Sequence, residues 1–164
     1  MNSQNTEYIR LNGNLNNSKT WGIFVEDSSY YFFNELVGCC GQIYGSEPDK
    51  PTRVIVFITI DKGEAKGRSI RLRLPRKACD VISGEAYATY ISKIFPPTSF
   101  VLTHGDTFRP HFGIVQKITK ESMYCELWDV QDGSYYGVLG RQPSGFIPIS
   151  NQVYKKMWKK HHLL

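Results

Sequence analysis

Long apolar runs are missing from this chain. No stretch approaches the roughly 18–20 residues that cross a bilayer as a helix. The opening segment Met1–Asn17 is polar and asparagine-rich, without the apolar centre of a signal peptide. The expectation is a cytoplasmic protein with no membrane partner. Paired cysteines are missing too. Cys39 and Cys40 are adjacent, Cys79 and Cys125 lie far apart, and no CxxC occurs. Reduced thiols and no zinc site follow. Also lacking are the GxxxxGK[ST] phosphate loop, GxGxxG and HExxH, so no cofactor or metal is expected. Nothing reads as a helix-turn-helix, so any DNA-reading surface has to come from strands and loops.

What is present is an ordinary globular mixture. The 164 residues, 41% of them hydrophobic and 21% charged, suit one domain with a real core. Ten tyrosines and nine phenylalanines favour strands with half-buried faces. The net charge of +5 is unevenly spread. Trp21–Asp49 holds Glu26, Asp27, Glu35, Glu47 and Asp49 but neither Lys nor Arg. Lys50–Lys77 holds Lys50, Arg53, Lys62, Lys66, Arg68, Arg71, Arg73, Arg76 and Lys77 against Asp61 and Glu64. The tail from Asn151 to Leu164 holds four lysines and no acid. Charge separated in this way suits a polyanionic partner, although a basic face can also be merely solvated.

Residues 1–19 read as a flexible leader, 20–150 as a β-rich domain, and 151–164 as a basic segment leading to a further domain in a longer protein. Trp21–Val25 predicts a strand, and Ser28–Phe33 a strand or loop. Gly38, Gly41, Gly45, Pro48 and Pro51 predict a long irregular connection. Arg53–Ile60 (RVIVFITI) is the strongest strand, apolar on both faces. Asp61–Gly67 turns the chain back into Arg68–Leu74 as a hairpin. A helix can begin near Pro75–Lys77; Ser83 looks like a helix cap, with Ala86, Tyr87, Tyr90, Ile91 and Ile94 at helical spacing and Pro96-Pro97 as the stop. Phe100–Thr103, Phe112–Thr119, Met123–Trp128, Tyr135–Leu139 and Phe146–Ile149 predict strands, and Val153–Lys160 a short basic helix. The fold class expected is mainly β with one or two short helices, arranged as an open β-barrel.

Several constellations carry chemistry. In Ser69–Leu74, period two sends Ile70, Leu72 and Leu74 to a core and Ser69, Arg71 and Arg73 to the other side. Lys62, Lys66 and Arg68 precede that strand, and Arg76 and Lys77 follow it. Arginine on such a strand or loop suits phosphates and guanine edges. Asp61, Glu64 and Lys66 contain the Glu-x-Lys pairing of many nucleases, but a turn lacks the rigid strand ends that a metal site needs. His104, Asp106, Arg109 and His111 crowd one loop, where Arg109 and His111 suit phosphates. Ser28, Ser29 and Tyr30, beside Tyr31, Phe32 and Phe33, suit sugar contact or stacking on a projecting loop. A half-wet core cluster is the plainer alternative there.

Two resemblances bear on function. The fragment THGDTFRPHFGIV is similar to the GD…H-x-GIV segment of the NlpC/P60 and CHAP cysteine peptidases. That likeness implies a hydrolase with Cys40, or its neighbour Cys39, as nucleophile, His111 as base and Glu126 or Asp129 orienting it. The passage IRLRLPRKACDVI and the order of elements over residues 20–150 resemble the B3-like DNA-binding domains of plant transcription factors, restriction-enzyme effector domains and McrB-type N-terminal domains. The second likeness implies an open pseudobarrel that grips the major groove between two arms. Ser28–Asn34 would form one arm, and Asp61–Arg68 or His104–His111 the other. The acidic N-terminal third and the stretch Gly38–Gly45 depart from that pattern.

The expectation is therefore a non-catalytic module for double-stranded DNA, the target-recognition part of a restriction or host-defence system. A motor or nuclease domain or subunit would be its companion. The alternatives are the cysteine hydrolase and a protein-interaction domain whose charge is incidental.

Overall fold

The structure, a computed structural model, describes residues 6–14, 22–24, 30–47, 50–104 and 109–162. The chain is mainly β, with two α-helices and two five-stranded antiparallel sheets. Among the described residues no closed barrel is formed. The chain divides into two compact units, residues 1–90 and 91–164, where the sequence suggests one domain over 20–150.

The first unit is built on strands β1 (Tyr8–Leu11), β4 (Cys40–Glu47), β5 (Lys50–Thr59), β6 (Ser69–Pro75) and β7 (Cys79–Ile82). A separate ribbon pairs β2 (Gly22–Phe24) with β3 (Tyr30–Phe32). The sheet order is β6-β5-β4-β1-β7. One face of β5 and β6 supplies Val54, Val56, Ile58, Leu72 and Leu74 to a buried cluster with Ile9, Leu11, Phe33 and Leu36. The hairpin and its alternation thus match the sequence pattern: Arg71 and Arg73 are exposed, Leu72 and Leu74 buried.

Three differences have physical reasons. Residues 8–11, expected within the leader, form β1 between β4 and β7, because Ile9 and Leu11 alternate inward and are fully buried. The glycine-rich stretch expected to be irregular is β4. A Cβ on Gly41 would stand 1.9 Å from the Phe57 carbonyl oxygen, so glycine there permits close strand approach. Next to Gly45 the register shifts in a bulge that sets Tyr44 outside the pairing. Near Pro75–Lys77 the chain makes only a short 3₁₀ turn, Arg76–Ala78, before β7.

Helix α1 (Gly84–Ile94) starts where Ser83 Oγ accepts the Ala86 N–H at 3.0 Å, and it ends before Pro96. Tyr87 stacks on Tyr8 with ring centroids 4.6 Å apart, and the Tyr90 hydroxyl donates to the Thr59 carbonyl. In the second unit, β8 (Phe100–Thr103), β9 (His111–Ile118), β10 (Met123–Asp129), β11 (Tyr135–Arg141) and β12 (Phe146–Ile149) pair in the order β11-β10-β9-β8-β12. Helix α2 (Asn151–His162) lies on that sheet. Tyr154 stacks on Phe100 at 4.2 Å, and Trp158 meets Trp128 edge-on at 5.2 Å.

Gly41→Ala should destabilise the chain by about 1–3 kcal/mol, the usual cost of overpacking, because the obstructing atoms are backbone. The urea midpoint should fall. An unchanged midpoint would show that β4 and β5 can separate.

Candidate nucleic-acid interface

The exposed basic surface of the first unit follows from strand pairing. Side chains directly opposite in an antiparallel pair share a face. Arg71 lies opposite Phe57, Arg73 opposite Ile55, and Phe57 opposite Gln42 on β4. Tyr44 joins this face: its ring meets Phe57 edge-on at 5.3 Å, and the residue is 69% exposed. The Arg53 guanidinium donates to the Arg73 carbonyl at 3.2 Å. Arg71 and Arg73 therefore border a patch made by Tyr44, Phe57, Ile55 and Gln42. The same face of β1 is covered by α1 through the Tyr8–Tyr87 stack. β6 stands at the end of the sheet, so its outer edge is not paired within it.

The loop between β5 and β6 is pinned rather than free. The Tyr31 hydroxyl donates to the Lys62 carbonyl at 2.8 Å and accepts the Ala65 N–H at 3.1 Å. Ala65 is fully buried, and Gly63 and Gly67 take positive φ of 75° and 91°, which glycine adopts without strain. The Lys62 ammonium donates to the Glu35 carbonyl at 2.6 Å and lies 3.6 Å from Asp61. Lys66 is exposed and Arg68 half-buried. Glu64 is also exposed, while Asp61 accepts from the Cys39 thiol at 3.4 Å. Asp61 and Glu64 are not joined by a third ligand: among the described residues no group of three His, Cys, Asp or Glu could hold a metal.

The remaining residues fall elsewhere. Arg76 is exposed and 3.3 Å from Glu7, and Lys77 is exposed. Tyr30 is exposed on β3 and meets Phe32 edge-on. Ser28, Ser29, Asp106 and the Gly105–Phe108 part of the histidine loop lie outside the described residues. In the second unit Arg109 holds Asp129 at 2.9 Å, with its side chain still 61% exposed. His111 is 5% exposed; its Nδ1 lies 2.5 Å from the Arg109 carbonyl and its Nε2 3.9 Å from Asp129. Asp129, also 5% exposed, accepts the N–H groups of Gln131 and Asp132. This arrangement shapes the turn after β10, and it leaves Arg109 rather than His111 facing solvent.

The thiols are poorly placed for nucleophilic chemistry. Cys39 and Cys40 are fully buried in the first unit. Burial pushes Cys39 up to about 11, and raises Cys40 against an opposing pull from Arg10. Burial likewise takes Cys79 to about 11 and Cys125 to about 12. Glu126 is engaged by the Tyr135 hydroxyl at 2.9 Å.

The sequence pattern places Arg71 and Arg73 on the exposed face, as the structure does, but gives no sign of Tyr44 and Phe57 beside them. Phe57 was hidden because RVIVFITI is apolar at every second position on both faces. Tyr44 was hidden because its neighbours Gly41 and Gly45 look like loop residues. No family model, no curated protein and no solved structure matches this chain.

A thiol raised by two pH units carries roughly 100-fold less thiolate at neutral pH. Alkylation of the native chain should therefore be slow at all four cysteines and should accelerate on unfolding. Rapid modification of Cys40 in the folded chain would bring the hydrolase reading back.

Proposed function

We propose that the chain is a non-catalytic module that binds double-stranded DNA through the exposed sheet face of its first unit. The observation that carries this reading is the pair Arg71 and Arg73, exposed on a strand whose alternate residues Leu72 and Leu74 are buried. Their β-carbons stand about 6.6 Å apart along the strand. Each guanidinium offers the planar fork that matches phosphate oxygens. Tyr44 and Phe57, set edge-on to one another, supply apolar surface for sugars beside them. In that unit Arg68 and Lys66 are the candidates for base edges, and Arg76 and Lys77 extend the phosphate track.

The likeness of IRLRLPRKACDVI to the B3-like domains supports the same reading, as does a mainly β chain with two helices. On this proposal the strands form an open pseudobarrel. The chain serves in the cytoplasm as the target-recognition part of a restriction or host-defence system, working with a motor or nuclease domain or subunit.

Electrophoretic shifts with duplex, single-stranded and RNA probes test the proposal. Duplex should bind, and affinity should fall steeply between about 50 and 200 mM salt. Arg71→Ala and Arg73→Ala should each cost about 1.5–3 kcal/mol, the worth of a charge-assisted hydrogen bond. Salt-independent binding would sink the reading. Tighter binding of single strands, lost in Tyr44→Ala, would shift the target to unpaired bases stacking on that ring.

A further inference from the structure

Helix α2 carries Lys155, Lys156, Lys159 and Lys160, all exposed, and no acidic residue. At 100° per residue these four fall within one arc of the helix surface. Tyr154, Met157, Trp158, His161 and His162, on the other side, are all partly buried. Among the described residues none of the four ammonium groups meets a carboxylate.

Two ordinary explanations fall short. Cations favour the last turn of a helix, where the macrodipole is negative, which accounts for Lys159 and Lys160. Lys155 and Lys156 sit a full turn earlier, beyond the reach of that effect. Like charges four residues apart also oppose the helix, and both Lys155–Lys159 and Lys156–Lys160 have that spacing. The helix is held in place regardless. Ser150 Oγ accepts the Val153 N–H at 3.1 Å, Tyr154 and Trp158 pack on the sheet, and His161 Nε2 lies 2.7 Å from the Val130 carbonyl. Gly133 has a φ of +74°, and a Cβ there would stand 2.2 Å from the His161 Cβ, so the turn between β10 and β11 is shaped to admit the helix. A helix packed on its sheet thus carries a row of positive charge that meets no carboxylate among the described residues.

We infer that this lysine ridge is a second contact for the phosphate backbone of duplex DNA, one that adds affinity without regard to sequence. The inference rests on the DNA-binding reading above. An anionic membrane is the other polyanion with which such a ridge is compatible. A helix that lies on a membrane also inserts an apolar face, and here Tyr154 and Trp158 are already occupied by Phe100 and Trp128. With no apolar face left to insert, the ridge favours the phosphate backbone of a duplex over a bilayer.

The test compares the full chain with a variant carrying Lys155→Gln, Lys156→Gln, Lys159→Gln and Lys160→Gln, and with the matching four Lys→Arg changes. Duplex affinity is measured across a salt series on two unrelated sequences. The glutamine variant should lose affinity on the order of tenfold at low salt, equally on both sequences. Its slope of log affinity against log salt should flatten by about 0.9 for each phosphate contact removed. The arginine variant should keep the parent slope. Circular dichroism checks that the helix survives, and the pairs Lys155→Gln/Lys159→Gln and Lys156→Gln/Lys160→Gln give the same readout with half the change. A parent that binds duplex while every glutamine variant keeps its slope overturns the ridge and leaves the sheet face standing. A parent that binds no duplex overturns both. Binding to phosphatidylserine vesicles instead of duplex, abolished by the glutamine changes, overturns the inference in favour of a membrane.

Discussion

In the first unit the Phe57 carbonyl occupies the space that a β-carbon on Gly41 would need. That close approach lets β4 lie between β5 and β1 in unbroken antiparallel register around residues 40–43. Much else depends on it. β1 gains a place inside the sheet rather than at an edge, so Ile9 and Leu11 reach the core. On the opposite face Tyr8 meets Tyr87 of α1, which divides that face into a covered part and an exposed part. The exposed part is where Arg71, Arg73, Phe57 and Tyr44 lie.

Regular alternation does the rest of the positioning. Leu72 and Leu74 bind β6 to the buried cluster, and Arg71 and Arg73, which alternate with them, have no freedom to turn inward without exposing those leucines. The burial of its neighbours sets the face to which a charged side chain on such a strand points. The same principle operates on α2, where Tyr154 and Trp158 fix the rotation of the helix and thereby aim its lysines outward.

Strong periodic signals were legible in the sequence. The hairpin of β5 and β6, the Ser83 cap of α1 with its stop at Pro96, the strands of the second unit and the basic final helix all follow from period, caps and turn residues. What escaped did so for identifiable reasons. β1 is only four residues long and sits in a polar, asparagine-rich stretch, so its two inward residues made no visible pattern. β4 was masked by glycines that mark a close approach and a bulge instead of a loop. His111 attracted attention through its neighbours in sequence, whereas pairing with β10 buries it beside Asp129 and leaves Arg109 at the surface.

The hydroxyl of Tyr31 has a consequence for kinetics. By bridging the Lys62 carbonyl and the Ala65 N–H it fixes the loop between β5 and β6 before any ligand arrives. On the DNA-binding reading proposed above, a partner docking at this loop would meet a segment already ordered, which lowers the entropic cost of association. For such a partner, encounter rather than rearrangement of this loop would set the on-rate.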